Sequence, residues 1–264
     1  MTVHDHEPLR ATGERGEGER RPVTVVTGGS RGIGAATARR LASAGHDVAI
    51  SYHREAAAAE QVAQSVRAAG GACLVVRADT SVEADVTHLF DAVAAELGRP
   101  TGLVNNAGIT SRIGRFVDLS AADLRRVVDV NIIGYVLCAQ RAVRAMTGAG
   151  GAIVNVSSGA ATLGSPGEYV HYAAAKAAVD TLTLGLAREL AAESIRVNAV
   201  APGIVRTEIH ARESGEPDRL ARVAPLVPMR RPAEPDEIAA PIAWLLSREA
   251  SYVTGAVLRV AGGS

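Results

Sequence analysis

A doubly wound α/β sheet, parallel and covered by helices on both faces, is predicted by three observations. Short β-branched runs recur from residue 23 onward, longer Ala-rich stretches with helical apolar spacing separate them, and a glycine-rich turn joins the first run to the first such stretch. The runs are VTVVT (23–27), DVAIS (47–51), CLVVR (73–77), GLVNN (102–106), AIVNVS (152–157), IRVNAV (195–200) and AVLRV (256–260). Each is nearly continuous in apolar character, as a strand buried on both faces must be. Stretches such as AATARRLASAG and AAAAEQVAQSVRAAG lie between them, so helical crossovers join the strands in βαβ units. Residues 23–264 read as one domain without internal repeats. Residues 1–22 are polar and charged, lack the apolar segment of a secretory signal, and read as a disordered tail.

Composition narrows the function classes. A chain of 264 residues, 47% of them hydrophobic, suits one larger α/β domain. Its 28 basic and 28 acidic residues cancel, leaving no electrostatic case for nucleic acid or an anionic membrane as partner. The apolar runs stop well short of the roughly 20 residues that a membrane helix needs. Cys73 and Cys138, far apart in apolar settings, read as reduced packing residues with no metal site, which points to the cytoplasm. One stretch breaks the alternation: residues 207–235 are long, charged and punctuated by prolines. A segment of that kind in a compact domain is expected to be a lid or binding loop.

The glycine-rich turn, TGGSRGIG from Thr27, places Gly28, Gly32 and Gly34 in the pattern T-G-x-x-x-G-x-G. Glycine there allows a tight turn and a close backbone approach to a pyrophosphate, whose charge the following helix N-terminus meets. Further on, SPGEYVHYAAAKAAVD (165–180) holds two tyrosines and one lysine. A phenol, with an ordinary pKa of about 10, is a poor base at neutral pH and needs a cation beside it. Helical residues four apart share a face, which pairs Tyr172 with Lys176, whereas Tyr169 has Ala173 at the equivalent place.

Together with NNAG (105–108), Asn131 in VDVNIIG, NVSS (155–158) and PG (202–203), these motifs occur in an order and spacing that resemble the short-chain dehydrogenase/reductase family over residues 23–264. The resemblance implies a Rossmann-type, seven-stranded parallel sheet, a nicotinamide cofactor and a homotetramer. Carried over residue by residue, it implies that Gly28, Ser30, Arg31, Gly32, Ile33 and Gly34 surround the pyrophosphate and adenosine ribose. Asp79 and Thr80 meet the adenine, Asn106, Ala107 and Gly108 line the ribose side, and Pro202, Gly203, Ile204 and Thr207 border the nicotinamide. Asn131, Ser158, Tyr172 and Lys176 form the catalytic set, the last two also touching cofactor. Ser158 is preferred to Ser157 by alignment with the family's serine pair.

The implied reaction is hydride transfer between a nicotinamide and a carbonyl or alcohol carbon. Tyr172 serves as acid or base, Ser158 holds the substrate oxygen, Lys176 holds the ribose, and Asn131 anchors a water that feeds protons toward Lys176. Bringing Tyr172 from about 10 to about 7 takes roughly 4 kcal/mol. A cation about 4 Å away at an effective dielectric of ~20 supplies that much. Gly159, Thr162, Leu163, Glu168 and Tyr169 are expected at the substrate rim.

Cofactor choice turns on the residues just after the second strand. Tyr52, His53 and Arg54 stand where NAD-preferring enzymes place a carboxylate, and Arg31 adds a second cation. NADPH/NADP+ is therefore favoured, with NADH/NAD+ the alternative. A small carbonyl compound or alcohol is the expected substrate. Carrier-bound 3-oxoacyl thioesters are the runner-up, because AMTGAGGA (145–152) has no charge and LAAESIR (190–196) offers Glu193 where an acidic carrier would need a cation; Arg196 and the arginines of the 207–231 loop would compensate in part. A non-catalytic nicotinamide-binding regulator is the alternative outside enzymology.

Overall fold

The computed structural model describes residues 21–209 and 214–264. Most of the expected tail thus lies outside the described residues, but its last two are anchored. Arg21 Nε pairs with Asp47 at 2.9 Å, and the Pro22 carbonyl accepts from the Asp47 N–H at 2.9 Å. The described chain is thus held in place ahead of the first strand, because Pro22 extends the strand ladder by one bond.

Seven strands form: β1 (Val23–Val26), β2 (Asp47–Tyr52), β3 (Cys73–Arg77), β4 (Gly102–Asn105), β5 (Gly151–Val156), β6 (Ile195–Pro202) and β7 (Val257–Val260). All pair in parallel, in the order β3-β2-β1-β4-β5-β6-β7. The crossovers contain α1 (Gly32–Ser43), α2 (Ala56–Ala68), α3 (Glu83–Glu96), α4 (Ala121–Val128), α5 (Gly134–Met146), the one-turn α6 (Ala160–Leu163) and α7 (Val170–Leu190). A π-helical turn, Asp129–Ile133, joins α4 to α5, and a last long helix, Pro235–Leu246, precedes β7.

Strand alternation divides the core between the two faces of the sheet. Val26, Val48, Ile50, Val104 and Val154 pack on one side with Leu41 of α1, Val62 of α2 and Ile242 of the last helix. Their neighbours Val25, Ala49, Leu103 and Ile153 pack on the other with Leu89 of α3, Cys138 of α5 and Leu190 of α7. Continuous apolar runs in β1, β2, β4 and β5 follow from this two-sided burial, each such side chain contributing about 2 kcal/mol. Cys73 and Cys138 are both free thiols, and burial pushes them up to about 11 and about 12. Among the described residues no helix is long and apolar enough to cross a membrane.

The strand order positions the site. From β1 the chain winds outward to β2 and β3, then returns to β4 on the other side of β1 and winds the opposite way. Loops leaving the carboxyl ends of β1 and β4 therefore diverge and leave a crevice between them, the place where such sheets take ligands.

Candidate active site

That crevice opens into a cleft of about 980 Å³. At its base the β1–α1 turn is locked against the turn after β4. Asn106 Nδ2 donates to the carbonyls of Thr27 and Gly28 at 2.9 and 3.1 Å, and Thr27 Oγ1 accepts the N–H groups of Asn106 and Ala107 at 2.9 and 3.0 Å. Asparagine in NNAG thus closes the turn it faces, and Thr27, which the sequence marks only as the start of a pattern, is a structural partner. Gly28 has φ +63°, and a Cβ there would meet Ala107 Cα at 2.9 Å. This is a floor on which a side chain has no room and an extended ligand can lie flat.

Every residue expected at the cofactor lines the cleft except Gly34. Gly34 is buried one helical step inside, where a Cβ would stand 2.4 Å from the Gly28 carbonyl oxygen. Its glycine is required by helix-to-turn packing instead of by ligand contact. At the adenosine end, Asp79 accepts from Ser81 N–H and Oγ at 3.0 and 2.6 Å and lies 3.7 Å from His53 Nε2. Burial works to raise its carboxyl, but the Ser81 hydrogen bonds and the His53 and Arg54 charges outweigh burial and hold it low. Glu55, just past the predicted Tyr52, His53 and Arg54, also lines the cleft and approaches Arg31 Nη1 at 4.0 Å. A carboxylate therefore stands near the place where the sequence places none.

At the opposite end the strand alternation separates the two serines. Ser157 points into the protein, 2% exposed, its Oγ donating to the Lys176 carbonyl at 3.3 Å. Ser158 lines the cleft beside Tyr172, its Oγ accepting from the Ala160 N–H at 3.1 Å. The α7 helix carries Tyr172 and Lys176 onto one face, both in the cleft wall. Tyr169, just before α7, packs its ring edge-on against Tyr172 with centroids 5.3 Å apart. Its hydroxyl accepts from Arg219 of the short helix Arg219–Val223, and Arg219 also pairs with Glu168. The 207–235 segment thereby covers the substrate end, with Ile209, Arg222 and Leu226 on the cleft. Gly159, Leu163, Glu168 and Tyr169 line the cleft as expected. Thr162 does not, because its hydroxyl is bonded to Arg259 and the Gly159 carbonyl.

Two electrostatic expectations change. Lys176 is 3% exposed and its ammonium lies 5.8 Å from the Tyr172 ring centre. It donates to Tyr135 Oη at 2.9 Å and to the Val156 carbonyl at 2.7 Å. Burial pushes the lysine down to about 7, against the charge of Asp180. Burial likewise raises Tyr172, opposed by Ser158 and Arg219. Desolvation thus works against the charged form of both groups, so Lys176 alone does not lower the phenol as the spacing argument expects. Asn131 is also differently employed. It is fully buried in the π turn and off the cleft, with Oδ1 accepting from Ile109 N–H at 3.0 Å and Nδ2 donating to Ile109 O at 2.8 Å. Its side chain is consumed in holding the loop after β4. Tyr135 is not legible as a site residue in the sequence, since it arrives from α5; Glu55 and Arg219 lie in stretches read as cofactor-lining and as a lid, but nothing in the sequence singles them out there. The spacing of Tyr135, four residues after Asn131, is the one available signal.

A parallel sheet whose switch-point crevice carries a glycine floor at one end and a Ser–Tyr–Lys wall at the other defines a dinucleotide-dependent oxidoreductase. A family model described as "Enoyl-(Acyl carrier protein) reductase" matches residues 28–264. The chain is 49% identical over 245 residues to the uncharacterized oxidoreductase YgfF of Escherichia coli, covering 91% of this chain and 99% of that protein. It is 46% identical over 252 residues to the cis-4-hydroxycyclohexanecarboxylate dehydrogenase of Sinomonas cyclohexanicum, covering 94% and 98%. Among solved structures it resembles a blue fluorescent protein from a metagenomic library in complex with NADPH, with TM-score 0.86, 34% identity, and 92% and 98% of the two chains covered. The chain belongs to the short-chain dehydrogenase/reductase family. It is an oxidoreductase that interconverts CH–OH and C=O with a nicotinamide dinucleotide.

Proposed function

We infer that the protein is an NADPH-favouring reductase of a small, free carbonyl compound, or the oxidant of the matching alcohol, working with Tyr172, Ser158, Lys176 and Asn131. The observation that carries this reading is the placing of Ser158 and Tyr172 side by side on the cleft wall, with the Lys176 ammonium 5.8 Å from the Tyr172 ring centre. The residues present fit a dinucleotide: the floor at Gly28 excludes any Cβ, and the α1 N-terminus at Gly32 and Ile33 faces the cleft. When bound, the nicotinamide supplies or takes the hydride. Ser158 Oγ then holds the substrate oxygen, and Tyr172 donates a proton to that oxygen as it becomes an alcohol, or removes it in reverse. Lys176, where it carries its proton, favours the phenolate that remains. Asn131 holds the β4 loop at Ile109 and so shapes the wall beside Lys176.

Cofactor preference rests on Arg31 and Arg54, both on the cleft, as partners for a 2′-phosphate. Glu55 beside Arg31 weighs against it without replacing Arg54. Following nicotinamide absorbance against ketones, sugars, quinones, acyl thioesters and alicyclic hydroxy acids should give higher kcat/KM with NADPH than NADH, an advantage that shrinks with salt. Equal or better efficiency with NADH at low ionic strength would reject the preference, and no turnover despite tight cofactor binding would favour a regulator.

The free-substrate reading is supported by the surface beside β6. Glu193 accepts from Thr147 Oγ1 at 2.9 Å. Arg196, which could have compensated, is turned inward onto the carbonyls of Leu245, Val253 and Ser247 at 2.7, 3.3 and 3.1 Å. An acidic carrier thus finds little to steer it there.

A homotetramer in the cytoplasm completes the reading. Trp244, Val257, Leu258 and Leu184 are 37–42% exposed and Tyr252 fully so, an apolar set around the β7 edge that an assembled partner would cover. Light scattering at micromolar concentration is expected to give four times the chain mass, and a monomeric mass refutes the assembly.

A further inference from the structure

Behind the cleft wall a second phenol shares the catalytic lysine. Tyr135 is 2% exposed on α5. Its hydroxyl donates to the Val156 carbonyl at 2.9 Å and accepts from Lys176 Nζ at 2.9 Å, while Nζ also donates to the same carbonyl at 2.7 Å. The ammonium lies 4.6 Å from the Tyr135 ring centre, nearer than to the Tyr172 ring at 5.8 Å. Two of its three N–H groups are therefore engaged by the protein and one is left for what the cleft holds. The triangle is rigid on every side. Val156 ends β5, and Asn105 Nδ2 donates to the Tyr135 carbonyl at 3.2 Å and to Asn155 Oδ1 at 3.0 Å. Asn155 in turn donates to Thr183 of α7 at 2.9 Å, so α5, the sheet and α7 are tied by one buried polar chain.

We propose that Tyr135 is a positioning residue for the Tyr172–Lys176 pair, its hydroxyl oxygen accepting from the Lys176 ammonium, favouring its charged form and fixing it behind Tyr172. This rests on the reading of Tyr172 and Lys176 as the acid/base pair. The physical need is plain: an ammonium cut off from water keeps its proton only where acceptors replace hydration. The titratable and charged groups around the pair are Tyr135 and Cys138 from α5, Asp180 from α7, Tyr169 just before α7, and Arg219 of the short helix Arg219–Val223, whose charge also favours the Tyr172 phenolate. Ser157, just after β5, and Asn131 from the π turn stand nearby and do not titrate in the working range. Asp180, one turn beyond Lys176, is the one charged group among the described residues that favours the ammonium, and it cannot supply the short-range acceptor that Tyr135 does.

Linkage sets the direction of the change. Removing the acceptor oxygen favours the neutral amine, so Lys176 loses its proton at lower pH. Tyr172 then lacks its cation over more of the range and forms phenolate at higher pH. The working window closes from both sides, whereas a merely structural Tyr135 would leave it in place.

The test uses enzyme carrying [13Cζ]tyrosine, saturated with NADP+, with Tyr172 assigned by loss of its signal in Tyr172→Phe. No substrate is needed. Tyr135→Phe keeps the ring and should bind NADP+ within about threefold of the wild type. Its Tyr172 midpoint should rise by about one pH unit, and Lys176→Met should raise it further. An unchanged midpoint in Tyr135→Phe beside a clear rise in Lys176→Met overturns the positioning role alone. An unchanged midpoint in both overturns the Tyr–Lys reading and this inference with it.

Discussion

Tyr172→Phe is expected to lose about 10³-fold in kcat, within the range general acid–base catalysis contributes, while dinucleotide affinity changes little. The ring stays and keeps its packing on Tyr169 at 5.3 Å, so only the hydroxyl facing the cleft is removed. Tyr169→Phe provides the contrast. Tyr169 is 8% exposed and its hydroxyl accepts from Arg219, with the guanidinium carbon 5.0 Å from the ring centre. The phenylalanine ring keeps that stacking and loses one charged hydrogen bond, so the covering segment should loosen and KM should rise roughly tenfold, equivalent to about 1.4 kcal/mol, with kcat nearly kept. Steady-state kinetics with one carbonyl substrate, together with cofactor titration by fluorescence, separates the two. A lethal Tyr169→Phe beside a near-normal Tyr172→Phe would reverse the assignment.

Gly34→Ala is expected to cripple cofactor binding without touching any ligand-facing atom. The added Cβ would stand 2.4 Å from the Gly28 carbonyl oxygen and 2.6 Å from Asn106 Nδ2, distances that real carbon atoms do not adopt. Backbone at Gly28 has little room to retreat, because a Cβ placed on it would already stand 2.9 Å from Ala107 Cα. Relief must come from α1 or from Asn106, whose amide holds the Thr27 and Gly28 carbonyls. Overpacking of this kind costs about 1–3 kcal/mol, and disruption of the turn should add a loss of tenfold or more in dinucleotide affinity, about 1.4 kcal/mol. Thermal unfolding with and without NADPH measures both. A variant with unchanged melting temperature and unchanged cofactor affinity would show that the turn yields without cost.

The motif order and spacing of the sequence determined the architecture and where the cleft lies. Continuous apolar runs such as DVAIS and AIVNVS could only be strands covered on both sides, since an exposed face would show alternating polar residues. The order of the glycine turn, NNAG, NVSS and the Tyr172–Lys176 pair placed the cleft, because strand ends and helical spacing are local properties. What local properties do not contain is depth and approach. Gly34 and Asn131 lie one layer below the surface that their motifs line, and only the packed structure shows that each serves a backbone neighbour. Tyr135 reaches the site from α5 and no spacing rule announces it, while Glu55 and Arg219 sit in stretches the sequence marks only as cofactor-lining and covering. Tertiary structure also decided the charge states. Pairing a lysine four residues from a tyrosine suggests a lowered phenol, yet burial acts on both and drives Lys176 toward about 7. Desolvation depends on what the rest of the chain packs around a group, and that is absent from any window of sequence.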